Sequence, residues 1–162
     1  TLKSHLDHPR MRNWYAFDEG GKSGSGGWGY ARTTWNASVA MPHGWAIAEL
    51  HLLLRDCLAF EDGGRLVLLG GIDPAWLGQS IHIEKLPTWF GPLTLRWTPA
   101  TDDPRRVELE LEGADPPEGF VLRLGTKAKA KASPGGTELS AGPDGDVALP
   151  RGTTRARVIL SR

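Results

Sequence analysis

The sequence predicts a mainly β fold: an antiparallel β-sandwich over residues 63–162, preceded over 1–62 by a loop and one or two α-helices. Three observations carry this reading. Short runs with a period of two follow one another from Arg65 to Leu160. Clusters of turn residues separate them, and one dense apolar stretch with helical stop signals precedes them.

Residues His43 to Glu61 read as the strongest helix. Pro42 sits near its start, where a missing N–H costs little, and Asp62-Gly63-Gly64 supplies a stop. Its apolar residues run nearly all round: Trp45, Ala46, Ile47, Ala48, Leu50, Leu52, Leu53, Leu54, Cys57, Leu58 and Phe60. A helix packed on one side needs only a stripe, so this pattern implies partners on two sides. The other helical candidates are residues 1–12 and a short turn at Pro74-Ala75-Trp76-Leu77.

From Arg65 the reading is β. Strands are expected at Arg65–Leu69, Ser80–Lys85, Leu93–Trp97, Val107–Glu112, Phe120–Leu124, Thr126–Ala132, Thr137–Ser140, Asp146–Leu149 and Thr154–Leu160. Turn signals lie between them at Asp115-Pro116-Pro117-Glu118-Gly119, Ser133-Pro134-Gly135-Gly136 and Gly142-Pro143-Asp144-Gly145. Strands at this spacing are the mark of an antiparallel sandwich.

Composition narrows the classes of function. Lys+Arg and Asp+Glu both number 19 in 162 residues, so the formal net charge is zero and a nucleic-acid partner is not expected. Cys57 is the single cysteine, which excludes a disulfide within the chain. The dense stretch from Trp45 to Phe60 is broken by Glu49, His51, Arg55 and Asp56, so no membrane span is expected. The opening TLKSHLDHPRMRNW is polar and lacks the apolar core of a signal peptide, which points to a cytoplasmic location. It also lacks an initiator Met, and the expectation is a chain that continues an upstream segment.

Few constellations fit known chemistry. Gly21-Lys22-Ser23 resembles part of a phosphate loop, but Ala16 stands where the first glycine is needed and no helix follows. His5, Asp7 and His8 could ligate a metal, yet they read more simply as a solvated helix end. His82, between Ile81 and Ile83, reads as a solvent-facing strand residue. Cys57 in the apolar helix reads as a buried, inert thiol. Lys127, Lys129 and Lys131 fall on one face of KAKAKA, where edge-strand lysines would block sheet-to-sheet pairing. No cofactor or metal is expected.

The aromatic residues of the first third carry more. Trp14, Trp28, Trp35 and Trp45 lie among Tyr15, Phe17 and Tyr30 in Gly-rich polar sequence. Flat rings suit the C–H face of a pyranose, which makes carbohydrate the expected ligand class; the alternative is that Trp28, Trp35 and Trp45 wedge the loop onto a neighbouring helix. Asp18 and Glu19 sit in the same stretch. Glycoside hydrolysis needs two carboxylates across the scissile bond, and adjacent residues rarely face each other, so this loop supplies at most one.

The segment His43-Gly44-Trp45-Ala46-Ile47-Ala48-Glu49-Leu50, continued by Leu52 to Asp56, resembles the last helix of the (α/α)6 toroid of six-hairpin glycosidases. Asp73-Pro74-Ala75-Trp76-Leu77 and Pro87-Thr88-Trp89-Phe90-Gly91-Pro92-Leu93 resemble the junction into the C-terminal β-domain of such enzymes, the α-L-rhamnosidase-like class being the nearest. The later GFVLRL and DGDVALP resemble the closing strands of that domain. The resemblance implies the C-terminal part of a bacterial glycoside hydrolase, with residues 1–62 ending the toroid and 63–162 bracing it. It implies Glu19 or Asp18 as the catalytic base, with Phe17-Asp18-Glu19 the loose counterpart of the family's T-x-W-E signature. Trp14, Trp28, Tyr30, Trp35 and His43 would then bind substrate, and the partner acid would lie in the missing upstream part of the toroid. On this reading the isolated chain is inactive. Two other readings stay open: a stand-alone carbohydrate-binding module, and a non-catalytic domain that docks on a partner protein through its apolar helix.

Overall fold

A computed structural model describes residues 44–126, 128–133, 136 and 138–161. Two compact units divide the chain, Thr1–Leu53 and Leu54–Arg162. The described elements are a helix α1 (Gly44–Leu58), ten strands and one 3-10 turn (Pro74–Gly78).

The helix is shorter than its apolar pattern predicts. It ends at Leu58, and Ala59–Asp62 forms strand β1, antiparallel to β2 (Arg65–Leu68). The Asp62-Gly63-Gly64 signal is therefore a hairpin loop rather than a helix stop: Asp62 faces Arg65 and Gly63 takes φ 59°. What ends the helix comes from further along the chain. The Leu69 N–H donates to the Leu58 carbonyl (2.8 Å) and the Gly71 N–H to the Cys57 carbonyl (3.1 Å). Two of the carbonyls left over at a helix C-terminus are satisfied in this way. Leu69 is wholly buried and held at φ 61°, a left-handed conformation that only tight surroundings maintain in a branched residue.

The remaining strands follow the sequence pattern closely: β3 (Ile81–Leu86), β4 (Leu93–Pro99), β5 (Arg106–Glu112), β6 (Phe120–Leu122), β7 (Ala128–Ser133), β8 (Glu138–Ser140), β9 (Val147–Leu149) and β10 (Arg155–Leu160). They form two sheets, ordered β1-β2-β6-β9 and β3-β4-β5-β10-β7-β8. The described pairs are antiparallel except β2–β6, which is parallel. The chain leaves β2, builds β3, β4 and β5 in the other sheet, and returns alongside β2, the long connection that parallel neighbours require.

Alternation explains the sandwich. Leu93, Leu95 and Trp97 of β4, and Val107, Leu109 and Leu111 of β5, point inward. They share one apolar core with Leu66, Leu68, Phe120, Leu122, Val147 and Leu149 of the other sheet. Trp97 is fully buried, and its indole N–H donates to the Leu77 carbonyl at 2.8 Å, so the largest core side chain leaves no polar atom unpaired.

The alternate residues make a charged outer face on the six-stranded sheet. Arg155 reaches Glu110 (2.5 Å), Arg157 reaches Glu108 (2.7 Å) and Arg96 reaches Glu112 (3.3 Å). His82 is exposed opposite Arg96, as its alternation predicts. The lysine expectation needs correction. Lys129 and Lys131 are exposed, but β7 lies between β10 and β8, so β8 rather than the lysine strand forms the edge. Their outward position follows from Ala128 and Ala130, small residues that fill the core side of the strand.

Several apolar residues of α1 are exposed. Trp45 is 80% exposed, Leu52 51% and Leu53 47%. Cys57 is half-buried rather than enclosed. No described helix is long and apolar enough to cross a membrane.

Candidate functional site

Every site residue expected from sequence precedes Gly44: Trp14, Asp18, Glu19, Trp28, Tyr30, Trp35 and His43 all lie outside the described residues, as do His5, Asp7 and His8. Among the described residues no group of three His, Cys, Asp or Glu side chains is placed to hold a metal.

Within the unit Leu54–Arg162 the most organised polar arrangement lies where α1 gives way to β1. Arg55 occupies the last turn of the helix, where a cation complements the helix dipole. Glu61 lies on β1, its side chain 5% exposed against 15% for Arg55. The guanidinium meets the carboxylate in a two-pronged pair, Nη1–Oε2 2.6 Å and Nη2–Oε1 2.5 Å. Such a fork fixes orientation as well as charge.

The pair extends to the loop between β3 and β4. Arg55 also donates to the Pro87 carbonyl from Nη2 (3.1 Å), and Glu61 Oε1 accepts the Trp89 backbone N–H (2.8 Å). Within the loop, the Thr88 hydroxyl donates to the Gly91 carbonyl (2.5 Å) and accepts the Phe90 N–H (3.2 Å). The Phe90 carbonyl takes the Asp115 N–H (2.9 Å), and the Phe90 side chain packs against the core. Gly91 has φ 109°, and a Cβ there would stand 2.7 Å from the Gly113 carbonyl, so the turn admits only glycine.

The result is a loop held at several backbone points whose one large outward side chain is Trp89, 83% exposed. Asp56, with a side chain 53% exposed, is tied to the same guanidinium at 3.1 Å. The electrostatics are those of a charged pair that is kept charged. The Arg55 hydrogen bonds hold the Glu61 carboxyl below its ordinary range against the opposing effect of burial, and the Trp89 N–H adds to them. Arg55 is raised chiefly by Glu61. A locked carboxylate of this kind positions groups and is not available to shuttle protons.

Sequence reasoning singled out Pro87–Leu93 as a junction motif but gave Trp89 no role, and it placed Glu61 on a helix. The long-range partner of Glu61 leaves no local signature. A second exposed ring, Trp76 (54%), sits on the 3-10 turn capped by Asp73, which accepts the Ala75 N–H at 2.9 Å.

No family model, curated protein or solved structure matches this chain.

Proposed function

We propose that this chain is the C-terminal portion of a bacterial glycoside hydrolase, in which the β-sandwich braces a helical catalytic toroid. The observation that carries the reading is the exposed apolar side of α1. Ile47, Leu52 and Leu53, each at least 40% exposed, need a covering surface in water. A helix of this kind leading directly into a β-sandwich is the arrangement the resemblance implies. The catalytic base would be Glu19 or Asp18, with its partner acid on the upstream toroid.

Turnover of aryl glycosides by the full genomic polypeptide, compared with this chain alone, tests the proposal. It requires activity in the former and none in the latter. A full polypeptide inert toward the whole panel contradicts it.

The exposed rings Trp76 and Trp89 favour a second reading, a stand-alone carbohydrate-binding module. That reading leaves the apolar side of α1 without a purpose.

A further inference from the structure

We propose that the 87–91 turn is a preformed stacking point for a sugar ring, with Trp89 as the platform and the Arg55–Glu61 pair as the positioning group. It rests on the carbohydrate reading above. An exposed tryptophan on a slack loop would lose rotational and backbone freedom on binding, which offsets weak stacking energy. Here the backbone part of that ordering is already complete. A nearly buried carboxylate is committed to the Trp89 N–H, and the guanidinium that holds it also holds Pro87. The Thr88 hydroxyl and the Gly91 conformation fix the rest of the turn.

The surroundings favour a sugar over a protein partner. Protein hot-spot tryptophans sit within apolar contacts that exclude water. The groups tied to this loop are charged instead: Arg55 and the exposed carboxylate of Asp56. Charged groups tied to the turn that carries a flat ring suit a pyranose, whose C–H face packs on the indole while its hydroxyls pair with such groups.

The test is a titration of this chain with neutral gluco-, xylo- and rhamno-oligosaccharides, followed at the tryptophan indole N–H resonances. Comparison with Trp89→Ala assigns the Trp89 signal, and that exposed substitution leaves the fold intact. The expected result is a saturable shift at Trp89 with at least one of the saccharides, absent in Trp89→Ala, while the buried Trp97 signal stays in place. Positioning is read separately from amide exchange. Glu61→Ala exchanges the Trp89 amide about tenfold faster, the change expected for about one lost hydrogen bond, and weakens sugar binding. Glu61→Gln, which keeps the acceptor oxygen, restores part of both. Core amides such as those of Leu95 and Leu109 exchange through global unfolding and report the change in overall stability separately.

No saturable shift with any of the saccharides overturns the proposal, as does a Trp89 signal that moves only when the upstream polypeptide is added. In the latter case Trp89 is a docking anchor. These failures are distinct from failure of the glycosidase reading, which is decided by aryl-glycoside turnover.

Discussion

Arg55 and Glu61 stand six residues apart on either side of the point where helix becomes strand, and their side chains close that junction with contacts of 2.6 and 2.5 Å. Because Glu61 also accepts the Trp89 N–H, one carboxylate joins the end of α1, an edge strand of one sheet and a loop of the other.

Breaking that pair destabilises the second unit. Glu61→Gln keeps the shape but leaves the largely buried Arg55 guanidinium with only the exposed Asp56 as a charged partner, and the expected loss is about 2 kcal/mol. Urea unfolding measures it. By contrast, neutralising Glu108, whose partner Arg157 is 79% exposed, changes stability by about 0.5 kcal/mol or less. Equal effects at the two positions would contradict the account.

The same pair makes stability depend on pH in the acid range. The folded Glu61 carboxyl titrates below its unfolded value, so its contribution is complete above the unfolded value and is lost as pH falls through the folded one. Asp103 and Asp115, lowered by Arg105 and Arg151, act in the same direction from the surface. The thermal midpoint should therefore hold steady near neutrality and fall below about pH 4.3. In Glu61→Gln the fall is shallower; an identical slope would remove Glu61 from the explanation.

Gly71→Ala tests how the helix is ended. A Cβ at this position would lie 2.6 Å from the Cys57 Cα and 2.7 Å from its sulfur, so the backbone must shift. The expected cost is about 2–3 kcal/mol, together with faster exchange of the Gly71 and Leu69 amides that cap α1. A neutral substitution would mean that this contact does not determine where the helix stops.

If the proposed function holds, Glu19→Gln in the full polypeptide reduces aryl-glycoside turnover by about 10²-fold or more, the usual scale for a general base. Near-normal turnover assigns the base elsewhere, and Asp18→Asn then becomes the informative variant.

The sandwich was legible because alternation is a local property. In VELELE and FVLRL each inward residue is apolar, and Ala128 and Ala130 mark the core side of the lysine strand. The 3-10 turn at Pro74–Gly78 was legible from Asp73-Pro74 for the same reason. The end of α1 was not. Phe60 and Glu61 continue an apolar run that reads equally as helix, and the donors that end it, Leu69 and Gly71, lie more than ten residues away. Edge order failed likewise: which strand sits outside β7 depends on β10 and β8, not on its own lysines. The Arg55–Glu61–Trp89 arrangement joins three separate elements and left no motif to find. The residues expected to carry catalysis all precede Gly44, outside the described residues, so the structure bears on the sandwich and not on the chemistry.

Reading the genomic sequence upstream of the codon for Thr1 tests the central claim most directly. A toroid of twelve helices with loops requires on the order of 300 in-frame residues of helical pattern ahead of this chain. Finding them would place the apolar side of α1 against the rest of a glycosidase and direct the search for the partner acid there. A start site close to Thr1, with a stop codon before it, would contradict the claim and leave a self-contained sandwich domain.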